Sequence, residues 1–417
     1  MKFTRKSYGR LLRADGTQVS QHTVAEEAYE RAAVSGAGTY TYIPPIVQID
    51  VPAAPAPAPA PAPAPSPPPA GSLPTRLLQK SNLVYQGTFN VPQVGATDQL
   101  SLAYTGHALA YNPVRNSLYI CGMVTTTRVA EISIPALGGR ASVLQTPFDV
   151  GSSVVGQIGD VSIANEKRIG GLLVAGGGLL VNVYAYYDGA SQAKRSICRG
   201  SLTLGSLQGP YRMDPQSSTW WTGYPGPVAR YMGHIPAEWQ AALGGPAFTG
   251  GSTGVTSIAA AQSNGPAFAV FDPSHVDGRA NVPCRMLLGY PVDQPLRPPD
   301  RQSNEWNFTS SPTGCVLPAG TASVLFFGAH GIGQYSYPPA APPYRSYVWA
   351  YNAHDLVAVR NGQKTPQSVQ PYAIWDTGAG DLVPNGIGGA CINGDTVYVM
   401  QRQVEGALPV IHVFRVT

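Results

Sequence analysis

Charge is the scarcest feature of this 417-residue chain: Asp, Glu, Lys and Arg together make up 12%, against about 25% in an ordinary soluble protein. A surface so poor in ions must be covered by Gly, Ser, Thr, Asn, Gln and Tyr. The net charge of +4 is spread along the chain rather than gathered into a basic face, which excludes nucleic acid as an expected partner. No run of about 18 apolar residues occurs, so no membrane span is expected. The opening MKFTRKSYGRLLRADG lacks an apolar core ahead of a small-residue cleavage site, so no secretion signal is expected either. Cysteine is sparse and scattered. The 5 residues, Cys121, Cys198, Cys284, Cys315 and Cys391, show no CxxC spacing, which argues against a disulfide framework and a zinc site and makes them reduced core residues. Neither a metal nor a cofactor is expected.

What the chain has instead is 47 Gly, 40 Pro and 22 Tyr, the composition of many short strands joined by turns, and the expected class is all-β. Proline is concentrated in VPAAPAPAPAPAPAPSPPPA, residues 51–70. Fixed φ angles, missing backbone donors and the lack of anything to bury make this stretch an extended spacer. In polyproline II geometry, at about 3.1 Å per residue, it holds its ends up to about 55–60 Å apart. Three parts follow: a head at 1–50, a linker at 51–74 and a body at 75–417.

The head reads as strand, helix, strand. Tyr8–Ala14 and TYTYIPPIVQIDV are β-rich, and between them Thr23 and Glu26 form a capping box for a helix that Gly36 or Gly38 ends. A unit this small, without disulfide or metal, is expected to persist against a partner. The run QHTVAEEAYE, followed by Gly38-Thr39-Tyr40, Pro44-Pro45 and VQIDV, resembles N-terminal modules of bacteriophage proteins that precede varied C-terminal domains. That resemblance implies a docking end, with the remainder as the displayed end.

The body repeats a Gly, a short apolar strand, a turn, a second strand, a loop and a third strand. The copies begin at GHALAYNPVRNSLYICG, GGLLVAGGGLLVNVYAYYDG, TSIAAAQSNGPAFAVFDPSHV, GCVLPAGTASVLFFGAHG and GGACINGDTVYVMQRQ, roughly 70 residues apart. A fourth strand follows the first four copies: SVLQTPF, GPYRMD, PCRMLLGYP and PYAIWD. The fifth copy has none, but LVYQGTFNVP stands unassigned before the first. This is the signature of a β-propeller closed by its N-terminal strand. Five blades are expected, or six or seven if the long spacings conceal degenerate ones. A two-sheet sandwich leaves that early strand unexplained.

In a propeller, ligands bind at the channel mouth. Five-bladed glycosidases need two or three carboxylates there, yet the expected inner strands HALAY, LLVAG, TSIAAA, CVLPAG and GACI contain no Asp or Glu. Asp160, Glu305 and Asp381 are the weak catalytic candidates, each ahead of such a strand. His107, His330 and His354 read as structural, and the GxGxxG-like stretch at 328–333 leads into no helix. The most distinctive segment, 211–254, holds STWWTGYPG and a short helix opened by Pro236 and stopped by Gly244-Gly245. Trp220, Trp221 and Tyr224 there, with Tyr335 and Tyr337 in YSYPPAAPPYRSY, are the candidate ligand-binding residues, because ring faces stack on sugar C–H faces. GHIPAEWQAALGG and VWAYNAHDL are similar to segments of propeller-like proteins in phages and bacteria.

Together these readings describe a phage virion structural protein, a head or tail fibre or decoration. It is synthesised in the bacterial host cytoplasm and placed on the virion surface in several copies. Residues 1–50 would dock on a capsid or tail protein and the propeller would meet host-surface glycan, with avidity strengthening weak sites. The alternatives are a glycan hydrolase on the same fold and a passive decoration without ligand.

Overall fold

The computed structural model describes residues 72–163, 166–186, 188, 191–216, 220–252, 262–298, 303–307, 309–332, 344–378 and 386–417. The head at 1–50 and the spacer as far as residue 71 lie outside the described residues. What is described is almost entirely β. After β1 (Leu83–Asn90) come β2 (Leu109–Asn112), β3 (Ser117–Cys121), β4 (Arg128–Ser133) and β5 (Val143–Asp149), which form one antiparallel sheet in that order. β6 (Lys167–Ala175), β7 (Gly178–Ala185), β8 (Ile197–Ser201) and β9 (Gln208–Pro215) form the next. The third comprises β10 (Tyr231–His234), then a helix α1 (Ala237–Leu243), β11 (Ala247–Gly250), β12 (Phe268–Phe271) and β13 (Asn281–Leu288). The fourth comprises β14 (Ser311–Val316), β15 (Ser323–Gly331), β16 (Tyr344–Asn352), a helix α2 (Ala353–Arg360) and β17 (Ala373–Asp376). The last is β18 (Ile387–Asn393), β19 (Thr396–Glu405) and β20 (Leu408–Val416), whose outer neighbour is β1.

The described residues therefore make five four-stranded blades. Each first strand packs on the next, β2 on β6, β6 on β10, β10 on β14, β14 on β18 and β18 back on β2, so the five inner strands ring a central axis. β1 pairs antiparallel with β20 from Leu83 opposite Val416 to Asn90 opposite Val410, which ties the two ends of the propeller into one sheet. Closure of this kind leaves no open edge at the join. The outer strands of blades 2 and 3 also pair, β13 parallel to β9 from Asn281 opposite Arg212 to Cys284 opposite Pro215.

Period-2 alternation explains why the strands read as unbroken apolar runs. On β3, Leu118 and Ile120 face the core shared with blade 5, while Tyr119 and Cys121 face the core shared with blade 2. On β15, Val324 and Phe326 pack toward blade 3, and Leu325 and Phe327 toward blade 5. There are accordingly five apolar clusters, one in each gap between neighbouring blades. Each fully buried Phe or Leu in them contributes about 1.5–3 kcal/mol.

Close approach of the inner strands requires glycine at two places. A Cβ on Gly170 would lie 1.6 Å from the Ala229 carbonyl oxygen, and one on Gly314 would lie 2.4 Å from the Ala390 nitrogen. Any larger residue would push neighbouring blades apart.

The five-blade reading of the sequence is the one realised, with a correction in the third blade. Its inner strand is β10, YMGH, inside the distinctive segment 211–254 that lies ahead of the expected third copy, and its second strand is β11. The expected inner strand TSIAAA falls at 256–261, outside the described residues. Four short residues with a Gly carry no apolar run to announce themselves. The helix after Pro236 does form, ends at Gly244 with φ 96°, and buries Trp239, whose Nε1 donates to the Thr321 carbonyl at 2.8 Å. In α2 the Asn352 side chain accepts from the His354 amide at 3.0 Å, capping the first turn. All five cysteines are free and buried.

Candidate functional site

The channel has two unlike ends. Where the inner strands finish, a cavity of about 160 Å³ is lined by Leu109, Leu172, Met232, Phe248, Cys315 and Cys391 among others and is predominantly apolar. Where they begin, the ring gathers three arginines around a histidine. His107 stands two residues before β2, Arg168 is the second residue of β6, Arg230 immediately precedes β10, and Arg402 lies on β19 beside the start of β18. Four of the five blades thus contribute to this mouth.

Arg402 donates from Nε to the Thr105 carbonyl at 2.7 Å and approaches His107 Nε2 with Nη1 at 3.4 Å. Because a guanidinium can only donate, the imidazole nitrogen accepts and the ring is neutral. Burial, and then the charges of Arg402, Arg230 and Arg168, hold the His107 pKa well below its ordinary value. Burial also lowers the Arg402 pKa, and the Arg168 charge adds to that effect. Arg168 places its guanidinium 3.6 Å from the Tyr186 ring centroid and is ion-paired to Glu166. Arg230, 8% exposed, lies 4.7 Å from the Tyr184 centroid. The Tyr184 hydroxyl is buried without a hydrogen-bond partner among the described residues.

Carboxylates are few here. No Asp or Glu occurs on any of the five inner strands. Asp188 lines a small cavity with Tyr184 and Arg230, but its two oxygens accept from the Gln192 and Ala193 amides at 2.7 and 2.9 Å. Glu131 is fully buried, yet Asn112, Arg115, Ser117 and Gln145 all donate to it, so it is saturated as a structural group.

Of the three catalytic candidates, Asp160 is exposed and paired to Arg195 at 2.6 Å, and Glu305 is exposed and paired to Arg297. Each is held by its own arginine on a separate loop. Asp381 lies outside the described residues.

Among the aromatic candidates, Trp221 requires correction. It is 1% exposed within the core between blades 2 and 3, with Nε1 donating to the Tyr224 carbonyl at 2.8 Å, so its faces are covered and no sugar can stack on it. Trp220 and Tyr224 are half-buried against the same core. Tyr335 and Tyr337 lie outside the described residues.

His330 is structural, stacked 4.4 Å from Tyr347 and bonded to Ser310 at 2.9 Å. His354, edge-on to Trp239, bonds the Pro74 carbonyl at 2.8 Å.

The arginine-lined mouth was missed in the sequence. Its members are far apart in the chain, and only their recurrence beside inner strands connects them.

No family model matches the sequence, and no curated protein matches it. Solved structures similar to it include a glycosyl hydrolase from Bacteroides ovatus, at 10% identity over 81% of this chain and 96% of that one with a TM-score of 0.45. A second comes from a study of the GH130 family of mannoside phosphorylases and its glycoside hydrolases that target β-1,2 mannosidic linkages in Candida mannan, at 11% identity, 82% and 96% coverage and a TM-score of 0.40. A third is a luciferin-regenerating enzyme, at 10% identity, 76% and 93% coverage and a TM-score of 0.32. Likeness at this level transfers no activity.

Proposed function

We propose that this chain is an attachment protein: a ligand-binding propeller displayed on an Ala/Pro spacer, with residues 1–50 docking it to a bacteriophage particle and host-surface glycan as the ligand. The observation that carries the binding reading is the makeup of the ring. Five inner strands without a carboxylate offer no acid and nucleophile for glycoside cleavage, while one mouth collects arginine and tyrosine, the residues that grip ligands. The spacer supports display, since a stiff connector has use only when both of its ends engage something. Copies on one particle would add avidity.

The test is to image purified particles carrying the full chain and particles carrying a chain without residues 1–70. Loss of a globular knob from a defined head or tail position is the expected result. Unchanged particles, with the protein found free, would overturn the docking half of the proposal.

A further inference from the structure

We infer that the arginine-lined mouth of the channel is an oxyanion site, and that the glycan it takes is acidic, carrying a uronate or sialate carboxylate or a sulfate or phosphate ester. This deepens the proposed function and rests on its glycan-binding half.

The argument is one of charge accounting. Arg168, Arg230 and Arg402 come from three different blades and converge around His107. Among described residues only Glu166 forms an ion pair with any of them, and it engages Arg168. Among the described residues, Arg230 and Arg402 have no carboxylate oxygen within 4 Å. A guanidinium drawn out of water without a counter-ion is costly, so Arg230, 8% exposed on blade 3, and the half-buried Arg402 on blade 5 mark a place for an anion. The connection from β3 to β4 and that from β11 to β12 contain no Asp or Glu, and Asp188, which lines the cavity beside Arg230, has both oxygens engaged by the Gln192 and Ala193 amides.

A second, independent observation is the Tyr184 hydroxyl, on a residue 5% exposed, buried without a partner among the described residues, at the edge of the ring over which the Arg230 guanidinium lies. It is a donor awaiting an acceptor oxygen. The solvent-facing member of the group is Tyr186, 37% exposed, with Arg168 stacked on it. Guanidinium forks bind carboxylate, sulfate and phosphate in two-pronged fashion, and the tyrosine beside them suits the ring that carries the anion.

The experiment uses the full 417-residue chain and calorimetric titration with neutral oligosaccharides (maltotriose, mannotriose), acidic ones (trigalacturonate, sialyllactose), free glucuronate and sodium sulfate. The expected result is binding of the acidic sugars alone, weakening as NaCl rises. Arg230→Gln and Arg402→Gln should each weaken it about tenfold, a typical loss for one charge-assisted hydrogen bond, while Arg279→Gln on the surface changes nothing. Arg402→Gln guards against misfolding of the more buried Arg230 variant, and circular dichroism checks both.

Neutral and acidic sugars binding alike, with the arginine variants unaffected, would overturn the oxyanion site and leave glycan binding standing. Binding of glucuronate and sulfate but of no oligosaccharide would uphold the site and overturn the glycan reading. Silence from every probe overturns both.

Discussion

The two ends of the propeller channel are built from the same five strands and differ in nearly everything else. At the finishing end, Leu109, Leu172, Met232 and Phe248 point into an apolar cavity that adds to the cores between blades. At the starting end, Arg168, Arg230, Arg402 and His107 crowd together with little counter-charge. An apolar end follows from the ordinary drive to bury surface. A cationic end opposes that drive, and features that cost stability without local compensation tend to sit where a ligand acts.

The contrast can be broken at either end. The largest effect is expected from the apolar one. Phe248→Ala removes a ring stacked 4.6 Å from Phe268 and bordering the cavity, and should cost about 3–5 kcal/mol in denaturant unfolding. Ligand affinity of the folded variant should be unchanged, because the mouth is at the other end.

Next comes acid. Burial lowers the pKa of His330 and of His412 to about 4, so the unfolded chain takes up these protons before the folded one. Stability is whole above about pH 6.5 and falls as pH drops toward 4, by up to roughly 3 kcal/mol per histidine. Unfolding midpoints at pH 7, 5.5 and 4.5 check this, and His330→Asn should flatten the slope. A flat profile in the parent would show that these rings are not desolvated.

How far the sequence foretold this molecule depends on the kind of signal. Strand alternation was legible in SLYIC and SVLFFGAHG because both faces of a blade are buried, and the surplus strand LVYQGTFNVP stood out because ring closure demands one. YMGH was not legible: four residues between loops lack periodicity, and the apolar TSIAAA offered a more conspicuous pattern. Trp220-Trp221 announced aromatics but not their direction, which packing between blades 2 and 3 decides. The mouth lay beyond any local reading, since Arg168, Arg230 and Arg402 meet only through ring topology.

Ligand linkage sharpens the comparison from the polar end. With an acidic trisaccharide at about 100 times its Kd, the parent should gain about 2.7 kcal/mol, and the Arg230→Gln/Arg402→Gln double variant a few tenths at the same concentration. Equal gains in both would place the ligand elsewhere. The smallest effects belong to the rim. Asp160→Asn and Glu305→Gln break exposed ion pairs with Arg195 and Arg297, and each should cost less than about 1 kcal/mol with binding intact. An increase in bound-sugar lifetime in either variant would instead return these acids to a hydrolytic role.

The most direct measurement is a structure of the full chain with trigalacturonate or sialyllactose bound. A carboxylate within hydrogen-bonding distance of Arg230 and Arg402 at the starting end of the channel is the expected result. Sugar lying against Trp220 and Tyr224, or inside the apolar cavity, with the arginines untouched, would contradict it.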